Sequence, residues 1–159
     1  MIRKRNGFTL IELIIVMVII AIGVTLMVPS MGTWLSNYRL RAVACDITST
    51  LRSANMKAVS SNLEYRVYFN ENETYWTERG NQSSNSNNWV GTTDPDNAAR
   101  EGVINDFPTG VKVSLTGPFF IEFNPDSTCN AATITITNSK GKQFSITLIP
   151  STGKVNVKS

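Results

Sequence analysis

Residues 7–28 read Gly7-Phe8-Thr9-Leu10-Ile11-Glu12-Leu13 and then IIVMVIIAIGVTLMV, an apolar run with one ionisable side chain, Glu12, near its start. At about 1.5 Å per residue, a helix over 8–28 spans roughly 30 Å, the hydrocarbon thickness of a bilayer. Arg3, Lys4 and Arg5 precede it, and a basic flank holds its side of a membrane span in the cytoplasm, so everything after residue 28 is expected outside. Three ordinary readings of this run meet physical objections. A cleaved secretory signal ends in small residues, whereas this one leads into Met27-Val28-Pro29-Ser30-Met31. A buried core helix has no reason to begin with three cations or to stay apolar for so long. A plain membrane anchor gives no use for Glu12, whose charge costs on the order of 3 kcal/mol near a bilayer centre.

The heptapeptide from Gly7 to Leu13, following a short basic leader, resembles the type III signal of type IV prepilins and type II secretion pseudopilins. The resemblance implies that a prepilin peptidase cuts between Gly7 and Phe8 and N-methylates Phe8. It also implies a single-pass subunit of the bacterial inner membrane with a periplasmic C-terminal domain. Inner-membrane assembly machinery then packs that subunit among other pilins or pseudopilins in a filament. A physical role for Glu12 follows, because cutting creates a cationic amine at Phe8. A carboxylate one helical turn away, or on a neighbouring subunit, neutralises that amine in apolar surroundings. The formal net charge of +3 has the same origin: without Arg3, Lys4 and Arg5 the mature chain is formally neutral. A basic pI is therefore no nucleic-acid signal here.

Beyond residue 28 the helical spacing continues through Met31, Leu35, Tyr38 and Ala42, then Ile47, Leu51, Ala54 and Ala58. A helix over 8–61 would be roughly 80 Å long, apolar throughout its first half and amphipathic in its second. Pro29 removes a backbone donor and is expected to kink it. Short alternating runs then predict strands over 63–69, 74–78, 111–115, 119–123, 133–137, 144–149 and 154–158. Asn138-Ser139-Lys140-Gly141 and Pro150-Ser151-Thr152-Gly153 read as turns of a C-terminal meander. Residues 80–102, rich in Asn, Ser, Gly and Asp, read as a long loop. The expected class is α+β, a long N-terminal helix packed on an antiparallel β-sheet globular domain. Its divisions are a leader (1–7), a transmembrane or filament-core helix (8–28), an amphipathic continuation (29–61) and a β-rich domain (62–159).

Leu51-Arg52-Ser53-Ala54, Phe123-Asn124-Pro125-Asp126 and the terminal Ser151-Thr152-Gly153-Lys154-Val155-Asn156-Val157 look like the GspH/FimT branch of minor pilins and pseudopilins. That likeness implies a structural filament subunit, minor or, as the alternative, major, with no catalytic site and no cofactor. Some members of the branch bind DNA during natural transformation through a C-terminal Gly-Arg-x-Arg motif. Gly153-Lys154-Val155-Asn156 departs from that motif at both arginines. Lys140, Lys142, Lys154 and Lys158 still leave the last 20 residues cationic, and phosphate contacts need only positive charge. Lysines on strand edges also block edge pairing, which is the simpler use.

The chain contains no histidine, which removes Ser-His-Asp and Cys-His catalysis and the usual imidazole metal ligands. Asp94, Asp96, Asn97, Glu101 and Asp106 offer hard oxygens, but their spacing is not that of an EF-hand loop. They read as a solvated loop, and no metal site is assigned. Cys45 and Cys129 are too far apart for a CxxC motif. They are either one disulfide of an exported protein or separate packing residues.

Overall fold

The computed structural model describes residues 8–70, 74–90 and 104–158, with residues 26–31 described by their backbone alone. Helix α1 (Leu10–Ser61) passes through two compact units, residues up to Leu35 and Ser36–Ser159. Thr9 stands at its N-cap: its carbonyl accepts from the amides of Glu12 and Leu13, and its hydroxyl accepts from the Glu12 amide at 3.4 Å. Asn62 ends the helix in the left-handed region at φ 55°, a conformation that asparagine tolerates better than most residues.

Among the described side chains of the first unit, no face of α1 is covered. Ile14, Ile15, Val16, Met17 and Val18 are consecutive and all exposed, so the apolar surface runs right round the helix. Such a helix needs an apolar surrounding, either lipid or other helices. Among the described residues no helix is long and apolar enough to cross a membrane. Within the apolar run the side chains are described as far as Thr25, short of the expected limit at Val28.

In the second unit α1 buries Leu40, Val43, Ala44, Ile47, Leu51, Ala54 and Ala58. The expected stripe is correct from Ile47 onward and out of phase before it. Tyr38 and Leu35 are exposed, and Tyr38 lies one heptad before exposed Cys45, whereas Leu40 lies one heptad before Ile47. The small residues Ala44, Ala54 and Ala58 let the sheets approach the helix closely. Each large buried side chain on this stripe contributes on the order of 1.5 to 3 kcal/mol.

Two antiparallel sheets complete the unit. The first contains β1 (Tyr65–Asn70), β2 (Thr74–Gly80), β3 (Trp89–Val90), β4 (Asn105–Asp106) and β6 (Phe120–Phe123), in the order β3-β2-β1-β6 with β4 also on β2. The second contains β5 (Val111–Thr116), β7 (Thr133–Asn138), β8 (Gln143–Ile149) and β9 (Lys154–Lys158), in the order β5-β7-β8-β9. Alternation selects the faces. Tyr65, Val67, Phe69, Ile121 and Phe123 of the first sheet enter the core, as do Val111, Val113, Ile134, Ile136, Ile146, Leu148 and Val155 of the second. The threonines of the TITIT run 133–137 alternate with those core isoleucines.

The α+β class and the seven longer strands match the expectation to within two residues at each end. The pairing of β5 and β6 is new. Although adjacent in sequence, they enter different sheets, because Gly117 at φ 126° turns the chain between them. The stretch taken as a long loop also contains β3, held on β2 by Arg79↔Val90 and Gly80↔Trp89.

Candidate functional site

The N-terminal signal shows one piece of geometry that its sequence reading overlooked. Thr9 and Glu12 form a reciprocal capping box: the Glu12 amide donates to Thr9 Oγ1, and the Thr9 amide donates to Glu12 Oε2, each at 3.4 Å. The Thr9-x-x-Glu12 spacing is the sequence mark of that box. Glu12 is thereby folded back toward the residue that follows the expected cut. Phe8 itself is 82% exposed. Gly7 and the basic leader lie outside the described residues, as does the Pro29 side chain, although the helical backbone continues through position 29.

In this structure the two cysteines are not bonded to each other. Cys45 is exposed on α1, while Cys129 is buried beside β6 and donates to the Ile149 carbonyl. Burial raises the Cys129 thiol above its ordinary pKa, against a smaller opposing effect of the Gly153 backbone. A thiolate is the reactive form, so alkylation of the folded chain is expected to label Cys45 at least about ten times faster than Cys129. Peptide mapping by mass spectrometry after a short iodoacetamide pulse measures the ratio.

The four C-terminal lysines do not form one patch. Lys140 and Lys142 flank the β7–β8 turn, where both their amides donate to Asn138 Oδ1. Lys158 is at the same end of the sheet, opposite Ser145, whereas Lys154 is opposite Ile149 at the far end of β9. Gly153, in the residues compared with the DNA-binding motif, has a steric role of its own. Its φ is 58°, and the Asn55 amide approaches its carbonyl at 3.4 Å. Of the residues considered for calcium, Asp94, Asp96, Asn97 and Glu101 lie outside the described residues. Asp106 is exposed in β4.

A buried charge cluster on the outer face of the first sheet was not foreseen. Arg66 Nε donates to Glu78 Oε2 at 2.5 Å, and Trp76 Nε1 donates to Glu78 Oε1 at 2.7 Å. The Arg66 guanidinium lies 4.2 Å from the Trp89 ring centroid and 5.3 Å from that of Phe120, within cation–π range. Glu64, only 2% exposed, accepts from the amides of Asn85 and Ser86 at 2.8 and 2.6 Å. It ties the 81–88 loop to β1. Burial first, and then the neighbouring Glu64, push the Glu122 carboxyl above its ordinary range, while Arg66 pulls the other way. Strand alternation marks Arg66 and Glu78 as outward-facing, but only the register Arg66↔Glu78 shows that they meet. Arg66, Trp76, Glu78 and Glu64 all have partners inside the fold, and Glu64 holds the β2–β3 loop.

The N-terminal geometry and the fold can be set beside known proteins. Residues 2–28 match the prokaryotic N-terminal methylation motif. The fold is similar to the minor pseudopilin EpsH of the Vibrio cholerae type 2 secretion system, with TM-score 0.57 and 12% identity over 76% of this chain and 97% of that one. The likeness is one of fold. Escherichia coli GspH is similar at TM-score 0.57 and 17% identity, over 77% of this chain and 89% of that one. The type IV minor pilin FimU of Pseudomonas aeruginosa is similar at TM-score 0.57 and 14% identity, over 79% and 92%. No curated protein matches by sequence. At these identities the likeness establishes a shared fold, while the methylation motif is established separately at the N-terminus.

Proposed function

We propose that this chain is a structural subunit, of the minor pilin or pseudopilin kind, of a type IV pilus or type II secretion filament. One observation carries the reading: a methylation motif over 2–28 is joined to a pseudopilin fold, and the helix between them exposes apolar side chains on every face. That surface is satisfied by lipid before assembly and by neighbouring helices afterwards. In this reading residues 1–7 are the leader, 8–28 the anchor and later the filament core, 29–61 the amphipathic continuation, and 62–159 the domain presented outside. Prepilin peptidase cuts between Gly7 and Phe8 and methylates Phe8, and the inner-membrane machinery inserts the product among other subunits. Support for a non-catalytic role comes from a chain without histidine and from charge clusters that serve the fold.

Co-expression with a prepilin peptidase tests the proposal. The expected product begins at Phe8 and carries one N-methyl group by intact-mass and N-terminal peptide analysis, and Gly7→Val is expected to remain uncut. A mature chain beginning at any other residue, or filament incorporation of the uncut Gly7→Val precursor, overturns it.

A further inference from the structure

The two sheets treat their outer edges differently. At β6 the edge is sealed: Asn130 Oδ1 accepts from the Glu122 amide, the Asn130 amide donates to the Glu122 carbonyl, and Asn130 Nδ2 donates to the Phe120 carbonyl. At β9 the backbone bonds to β8 on one side, and no described residue pairs with its other side. An open edge presents unmatched amides and carbonyls and is a template for another strand.

Beside that edge, between β9 and α1, lie two adjoining troughs of about 630 and 560 Å³. Their apolar lining includes Met56, Phe144 and Val157, with Met56 72% and Val157 46% exposed. Val155 and Val157 share the inward face of β9, but only Val155 is buried. The core face of the second sheet therefore runs on, uncovered, along this edge.

Among the described residues, the charge lining the troughs has one sign: Arg41, Arg52 and Lys154 line them, no carboxylate side chain does, and none of the three cations is ion-paired. Asp126 is engaged with its own loop, accepting from the Thr128 amide and hydroxyl. Arg41 and Arg52 are three helical turns apart, about 16 Å, within the span of a seven-residue strand, about 20 Å at about 3.4 Å per residue.

We propose that this trough is a strand-addition site: an extended segment of a partner polypeptide pairs with β9, placing apolar side chains against Val157 and Met56 and carboxylates against Arg41 and Arg52. The open backbone edge selects an extended chain over a helix or a lipid tail. Lys154 and Lys158 at the two ends of β9 repel a second copy of the same edge, so the occupant is a strand flanked by acids. The site belongs to the second unit alone and does not depend on how the N-terminus is processed.

Full-length chain in detergent micelles and three fluorescein-labelled peptides test it. ETVTVTE places two valines between two carboxylates on one strand face, KTVTVTK reverses the charges, and ETVPVTE breaks the backbone pairing. By anisotropy, ETVTVTE is expected to bind saturably and at least about tenfold more tightly than either of the others. It is also expected to slow Cys45 alkylation in proportion to occupancy, because Cys45 lines the trough. The R41E/R52E variant, altered at two exposed positions, is expected to lose ETVTVTE and gain KTVTVTK. Equal binding of ETVTVTE and ETVPVTE, no binding of ETVTVTE, or unchanged affinity in R41E/R52E overturns the proposal. So does a single-stranded oligonucleotide that displaces ETVTVTE while protecting Cys45, an outcome that assigns the trough to nucleic acid.

Discussion

Replacing Glu12 by alanine is expected to leave cleavage after Gly7 intact while filament incorporation falls by at least about 100-fold. Two losses combine. The first is the capping box: Glu12 Oε2 no longer accepts from the Thr9 amide, a cost of about 1 kcal/mol to the first helical turn. The second appears only after processing, when the new amine at Phe8 enters an apolar surrounding without a carboxylate. Removing one partner of a buried ion pair costs about 3 to 5 kcal/mol, so the charge term dominates. Two further variants separate the contributions. Glu12→Gln keeps a side chain that can cap but removes the charge, and is expected to assemble as poorly as alanine. Thr9→Ala removes the cap hydroxyl but keeps the carboxylate, and is expected to assemble within a fewfold of wild type. Quantitative immunoblots of sheared filaments against the membrane fraction provide the readout. Wild-type incorporation of both Glu12 variants would remove Glu12 from the assembly mechanism.

How legible each part was in the sequence follows from how local its cause is. The all-round apolar helix, the strands and their turns are set by periodicity and by glycine and asparagine at fixed positions, so they could be read directly. Ile47, Leu51, Ala54 and Ala58 were found by spacing alone. The stripe before them was misplaced because Tyr38 and Leu35 are large and apolar and lie at plausible spacing, while only packing shows that Leu40 and Val43 face the sheets. Strand pairing across distance was out of reach: nothing local separates β5 from β6 into different sheets, or shows that Glu64 reaches the amides of Asn85 and Ser86. The Thr9–Glu12 box was legible and was missed because Glu12 already had a role, opposite the processed amine. The two uses are compatible, since capping turns the carboxylate toward the N-terminus that the proposed cut would create.

Gly153 and Gly141 both have positive φ, 58° and 80°, yet they are expected to respond very differently to substitution. A side chain in that region carries a strain of about 1 to 2 kcal/mol wherever it sits. At Gly141 a Cβ would meet nothing within 4 Å, so Gly141→Val is expected to cost little more than this strain. At Gly153 a Cβ would run into the Asn55 amide and lie 2.5 Å from the Ser127 carbonyl oxygen. The Asn55 side chain can move, but the Ser127 oxygen is backbone and cannot, and two further methyl groups must fit in the same gap. Gly153→Val is therefore expected to cost about 3 kcal/mol or more, an overpacking cost added to the backbone strain. Urea denaturation of the two variants in parallel measures the difference between their midpoints, in which the shared strain cancels. A large gap identifies Gly153 as the point where the start of β9 closes on α1, and hence as the end wall of the trough beside that strand. Equal midpoints would show that the helix and β9 can separate there freely, and the close approach would then contribute nothing to the fold.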